Sequence, residues 1–203
     1  MSQASRTPEE LLERARAGDL ESFGQLLSRY RNYARLLART LIGTTLRLRL
    51  DPSDLVQETF LEAHRDFSRF AGSTERELLA WLRRILARNL ADQARRQKAG
   101  LRDHRRQVSL EAILDRSSAR MQHALAAVIA SPSAAASQRE QAVLLADALA
   151  GLPPDYREVI ILRNIERLRF EEVAARMGRS AGAVRMLWTR ALERLSKALE
   201  GLA

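Results

Sequence analysis

The side chains able to do chemistry in this chain fall into three groups, and none of them is a catalytic set. Asp54, Gln57, Glu58 and Glu62 stand three or four residues apart, so on a helix they form one ridge of carboxylates and an amide. Such a ridge accepts charge-assisted hydrogen bonds from basic side chains on a partner. Arg83, Arg84, Arg88, Arg95 and Arg96 recur along a second stretch, with Phe70 and Trp81 close by. Rings beside a basic face can stack on unpaired bases while guanidinium groups hold the backbone. Arg179, Ser180, Arg185, Met186, Thr189 and Arg190 follow Gly178, at positions from which a helix-turn-helix reaches into a duplex. His64, His104 and His123 are scattered without ligand spacing, and there is no cysteine, which excludes thiolate metal sites and disulfides. A phosphate-cradling glycine loop, a Gly-x-Ser-x-Gly elbow and a His-Glu-x-x-His pair are all missing. The expectation is a protein that is not an enzyme and needs no cofactor or metal.

The composition agrees with a polyanionic partner. The 203 residues carry a formal net charge of +9, and the sequence pI is about 11.1. Lys98 and Lys197 are the only lysines; the other basic residues are arginine, which grips phosphate in a planar, bidentate way. No apolar run approaches the ~18 residues of a membrane span, and the N-terminus has no signal-peptide core. A cytoplasmic protein without membrane insertion is expected. Strand signals are weak and the apolar period is helical nearly throughout, so the fold class is all-α.

Those groups must be positioned by helices. Thr7-Pro8-Glu9-Glu10 is a capping box that starts a first helix ending at Gly18. Asp19 caps a second, expected over 20–42 and stopping at Gly43, with Phe23, Leu26, Leu27, Tyr30, Ala34, Leu37 and Leu41 as its buried stripe. Asp51 and Pro52 open the helix of the acidic ridge, which runs to about Arg69 with Leu55, Val56, Phe60 and Leu61 as its apolar side. Phe70 to Thr74 reads as a loop, and 75–98 as a helix whose inner face is Leu78, Leu82, Ile85, Leu86 and Leu90. From 99 to 138 the pattern loosens into a partly ordered linker with a low-complexity break at Ser131–Ser137. Helices over 140–149 and 155–163 precede a short helix over 170–177, the turn Gly178-Arg179-Ser180 and a long helix over 181–199. In that pair Val173, Ala174 and Met177 face Val184, Trp188, Ala191 and Leu195. The organisation is therefore two helical domains, 1–98 and 139–203, joined by the linker 99–138.

Two stretches resemble known domains. Asp54-Leu55-Val56-Gln57-Glu58, Phe70-x-Gly72, Trp81-Leu82-Arg83-Arg84-Ile85 and Arg95-Arg96 resemble the second conserved domain of bacterial sigma factors. Arg157-Glu158-Val159, Glu171-Glu172-Val173-Ala174 and Arg190-Ala191 resemble the fourth. The two-domain economy is similar to the extracytoplasmic-function group of the sigma-70 family. The long linker and Met186-Leu187-Trp188 are closer to versions abundant in planctomycetes. The resemblance implies an alternative sigma factor that binds core RNA polymerase and directs it to promoter DNA, with room for an anti-sigma factor as a further partner. It implies polymerase contacts at Asp54, Leu55, Gln57, Glu58 and Leu61. It implies −10 opening by Phe70, Trp81, Arg83, Arg84, Arg88 and Asn89, with a base flipped into a loop pocket. Reading of the −35 duplex would fall to Arg179, Ser180, Arg185, Met186, Thr189 and Arg190. The sequence departs from the family's pattern at Arg88, where asparagine is common, at Leu187 and Trp188, and at Arg169, where a capping serine or threonine is usual. A stand-alone helix-turn-helix regulator would leave the acidic ridge and the Trp81 helix without a task. A protein-only adaptor would leave the recognition-helix arginines without one.

Overall fold

The computed structural model describes residues 6–46, 50–98 and 138–201. The chain divides into two compact units, Met1–Leu114 and Asp115–Ala203. Among the described residues every regular element is helical. The expected linker, including Arg102 to Arg106 and Ser131–Ser137, lies outside the described residues apart from Gln138.

The first unit contains α1 (Pro8–Arg16), α2 (Leu20–Arg29), α3 (Arg31–Leu46), α4 (Pro52–Asp66) and α5 (Glu75–Lys98), with a single 3-10 turn at Phe67–Arg69 after α4. The start of α1 is the capping box foreseen: Glu10 N–H donates to Thr7 Oγ1 at 3.2 Å, and Thr7 N–H donates back to Glu10 Oε2 at 2.9 Å. Asp19 caps α2 through its Oδ1, which accepts from the N–H groups of Glu21 and Ser22, both at 3.1 Å. The Ser22 hydroxyl, then its backbone N–H, then Arg14 hold the Asp19 carboxyl at about 2, below its ordinary 3.8. A depressed carboxylate pKa adds stability that is complete above the unfolded value and is lost as pH falls through the folded one. Asp19→Ala is therefore expected to lower the melting temperature at neutral pH, with a gap that narrows as pH drops from 3.8 towards 2. Melting curves across that range check it, and a gap independent of pH contradicts it.

One expected helix, 20–42, is two. The break falls at Tyr30, whose φ of −94° and ψ of 9° end α2. Tyr30 is fully buried, and its hydroxyl donates to Glu75 Oε1 at 2.7 Å. Burial first, and the neighbouring Glu75 carboxylate next, push that hydroxyl well above the usual tyrosine range. The bend lets Phe23 and Leu26 on α2, and Tyr33 and Leu37 on α3, all be buried. At its other end α3 runs through Gly43 to Leu46; a helical glycine costs only about 1 kcal/mol, and here it does not stop the helix. Phe23, Leu37, Leu55, Leu78, Leu79 and Leu86 form the centre of the core, all essentially without solvent contact. Each such side chain contributes about 1.5–3 kcal/mol by leaving water.

The second unit contains α6 (Gln138–Gly151), α7 (Pro154–Ile160), a π turn at Ile161–Ile165, α8 (Phe170–Met177) and α9 (Ala181–Glu200). The α6 C-terminus leaves carbonyls without helical partners. Arg157 supplies them: its guanidinium donates to the carbonyls of Leu149, Ala150 and Leu152 at 3.0, 2.8 and 3.0 Å. α9 packs on α6, α7 and α8, with Val184, Ala191 and Leu195 as its fully buried side. The turn into it is as read from the sequence: Gly178 adopts φ 63° and ψ 35°, and Ser180 Oγ accepts from Ala183 N–H at 3.2 Å.

The π turn was not foreseen, and neither was its closure. Leu168 N–H reaches back to Leu162 O at 3.0 Å, and Arg167 between them takes φ 60°. A left-handed backbone disfavours any residue with a Cβ by about 1–2 kcal/mol, while glycine pays about 0.5–1 kcal/mol in chain entropy. The exposed Arg167 is thus a site where glycine gains. Arg167→Gly is expected to slow amide hydrogen exchange in α7–α9 by about two- to fivefold. Faster exchange would contradict this.

Candidate functional site

Three surfaces emerge from these elements. The first is the outer side of α4, where Asp54, Gln57, Glu58, Leu61, Glu62 and Arg65 line one shallow groove. Asp54 and Gln57 are exposed, and Leu61 is 74% exposed. The rest of the ridge is partly spent inside the molecule. Glu58 accepts from Gln93 Nε2, Thr59 Oγ1 accepts from Asn89 Nδ2 at 3.5 Å, and Glu62 pairs with Arg88. As the α4 numbers rise, those of their α5 partners fall, so these links fix the antiparallel register of the two helices. Leu55 is placed differently from its neighbours. It is 0% exposed and belongs to the core, while Asp54 beside it is exposed.

The second surface is built from Phe70, the loop after it and the start of α5. Phe70 lies 5.0 Å from the Trp81 ring and 5.9 Å from Phe67, which stacks on Phe23 at 3.9 Å. The loop is closed by Glu77, whose Oε2 accepts from Ser73 N–H at 2.9 Å, Thr74 N–H at 3.1 Å and the Thr74 hydroxyl at 2.8 Å. Those donors hold the Glu77 carboxyl below its ordinary range, the Ser73 N–H most of all. Arg16 of α1 donates to Gly72 O at 3.3 Å. Gly72 is glycine for want of room: a Cβ there would stand 2.3 Å from Phe70 Cζ and 2.8 Å from Glu77 Cβ. Of the other residues expected here, Arg84 is exposed and Arg83 half-buried. Arg88 is exposed but paired with Glu62. Asn89 is 6% exposed and donates to Thr59 Oγ1 between α4 and α5.

The third surface is the outward side of α9. Arg185, Met186, Thr189 and Arg190 are all exposed there, Met186 at 58%. Arg185 donates to Glu171 Oε1 at 3.1 Å, Arg179 pairs with Asp155, and the Thr189 hydroxyl donates to Arg185 O at 3.1 Å. Arg190 has no ion pair among the described residues. Arg169 brings no acceptor to the start of α8, and the cap is carried by Glu172 alone, which accepts from Arg169 N–H at 2.7 Å. That bond is the main cause of a lowered Glu172 pKa.

The sigma-70 region 2 family matches residues 26–100, and the sigma-70 region 4 family matches residues 142–195. The chain is 32% identical over 189 residues to the RNA polymerase sigma factor CarQ of Myxococcus xanthus, covering 93% of this chain and 95% of that one. It is 30% identical over 197 residues to the ECF RNA polymerase sigma-E factor of Haemophilus influenzae, covering 97% of each. The chain belongs to the sigma-70 family, in its extracytoplasmic-function group. Against the ECF sigma factor BldN of Streptomyces coelicolor, identity is 29% over 190 residues, and this sigma factor spans 65% of BldN's length. Among solved structures it is similar to CnrH, described in complex with the cytosolic domain of CnrY, at 26% identity, 97% and 99% coverage and a TM-score of 0.36. Region 2 thus takes in the α4 groove and the Phe70–Trp81 surface, and region 4 takes in all of the α9 face. Among the described residues no helix is long and apolar enough to cross a membrane.

Sequence reasoning missed Glu171, Phe170 and Asn164 as neighbours of the α9 face. Each meets it through the packing of one helix on another, and spacing along the chain does not reveal that.

Proposed function

We propose that this sigma factor joins core RNA polymerase through the α4 groove, opens the −10 element with the Phe70–Trp81 surface and reads the −35 duplex with α9. In this reading residues 1–98 and 139–203 are the two working domains and 99–138 the tether between them. The protein acts in the cytoplasm as a regulatory subunit with no reaction of its own. The observation that carries it is Leu61, 74% exposed in a groove with Asp54 and Gln57. A merely solvated helix face needs no bare leucine among its carboxylates. A partner helix that brings an apolar residue with arginines does, since both contributions grow when water is excluded. An anti-sigma factor would act by covering the same groove or the α9 face.

Sequencing the DNA retained by the chain bound to core polymerase tests the proposal. The expected result is one enriched pair of motifs at a fixed spacing. Enrichment without polymerase, at symmetric half-sites, would favour the stand-alone regulator instead.

A further inference from the structure

The second unit holds Arg185 between an aromatic ring and a carboxylate. Phe170, the first residue of α8, lies edge-on to Trp188 with ring centroids 5.6 Å apart. Trp188 Nε1 donates to Oδ1 of buried Asn164, in the π turn, at 2.8 Å. The Phe170 ring is therefore a fixed platform. Arg163 stands 4.8 Å and Arg185 5.4 Å from its centroid. Arg185 is held from a second direction, because its Nη2 donates to Glu171 Oε1 at 3.1 Å. The pair is largely in water, with side chains 56% and 66% exposed, so it adds little to folding. What it fixes is orientation. A guanidinium has five N–H donors in a rigid fork, and Glu171 engages only the Nη2 group.

We propose that Glu171 is a specificity-determining residue for the duplex, acting through Arg185. It keeps the remaining Arg185 donors aimed outward, where guanine O6 and N7 in a major groove can accept them. It also competes with phosphate, the acceptor that any duplex offers whatever its sequence. On a matching site the base takes the free donors while the carboxylate keeps its own. On a mismatched site Arg185 must leave Glu171 to reach a phosphate, and gains less by doing so. Glu171 thus widens the gap between right and wrong DNA from both sides. The inference rests on the reading that α9 enters a DNA groove.

The test uses the full chain assembled with core polymerase. It measures affinity for a duplex carrying the −35 sequence selected by the parent complex, and for a shuffled duplex. Arg185→Ala is expected to lower the ratio of the two affinities and to erase preference at one base pair. Glu171→Gln is expected to lower the ratio by about three- to tenfold, mainly through tighter shuffled binding, and to relax preference at that same base pair. In the Arg185→Ala background, Glu171→Gln should change the ratio less than about twofold. Two results overturn the inference, and they are distinguishable. If Arg185→Ala lowers the ratio but Glu171→Gln tightens both duplexes equally, Glu171 acts only as a charge near DNA. If Arg185→Ala leaves the ratio unchanged, α9 does not read bases through Arg185, and the reading beneath the inference falls with it.

Discussion

Asp54→Arg is expected to remove this sigma factor from core polymerase while leaving its fold intact. Asp54 is exposed, three residues into α4 after the Asp51 cap. The fold loses only its favourable place near the helix N-terminus, worth about 0.3–1 kcal/mol. The proposed polymerase interface would lose far more. Truncating one partner of a hydrogen-bonded interfacial charge pair costs about 2–5 kcal/mol, and reversal adds repulsion. Affinity for core polymerase should therefore fall by at least about a hundredfold, at an unchanged circular dichroism spectrum. Competition against a labelled sigma factor for core enzyme measures it. Glu58→Arg is a poorer probe than the sequence suggests, because Glu58 is half-buried and bonded to Gln93. A loss of binding there would mix a broken helix contact with a broken interface. Wild-type affinity for Asp54→Arg would show that polymerase docks elsewhere than on the α4 groove.

The second large effect is expected at Gly72. An added methyl would meet Phe70 Cζ at 2.3 Å and Glu77 Cβ at 2.8 Å. Glu77 cannot retreat without giving up Ser73 and Thr74, whose N–H groups it accepts. Phe70 must then leave Trp81. Forcing a methyl into a packed site costs about 1–3 kcal/mol, so Gly72→Ala should lower the melting temperature of the chain. The functional loss should be larger and confined to one step. With polymerase docked on α4 as proposed, its binding should stay within about twofold of the parent. The fraction of promoter opened around −10, read by permanganate reactivity of unpaired thymines, should fall about tenfold or more, as 1.4 kcal/mol of misplacement suffices for that. Normal opening by Gly72→Ala would show that the Phe70–Trp81 contact has no part in melting.

How far the sequence can be read depends on the range of the interaction. Caps and turns are set within four residues, so Thr7 with Glu10, Asp51 with Pro52 and Gly178 with Ser180 are legible directly. Apolar stripes are legible too, because periodicity alone separates Leu78, Leu82, Ile85, Leu86 and Leu90 from the arginines between them. The break at Tyr30 is not, since it is tied to Glu75 forty-five residues on. The same holds for the ridge on α4. Spacing places Glu58 and Glu62 beside Asp54, but only the register of α5 decides that Gln93 and Arg88 engage them. The burial of Leu55 and Asn89 is hidden for a related reason. A motif names neighbouring positions together, whereas a helix points neighbours about 100° apart, one outward and the next into the core. Arg167 shows the converse case. Nothing in its type announces a left-handed backbone, which the π turn before it imposes.

One chain both joins the polymerase and selects where it starts. Transcription by core enzyme from a library of genomic fragments, with and without this sigma factor, tests it most directly when the 5′ ends of the RNA are sequenced. New starts should appear that share one −10 motif and one −35 motif and that vanish with Asp54→Arg. Starts no different from those of core enzyme alone would contradict it.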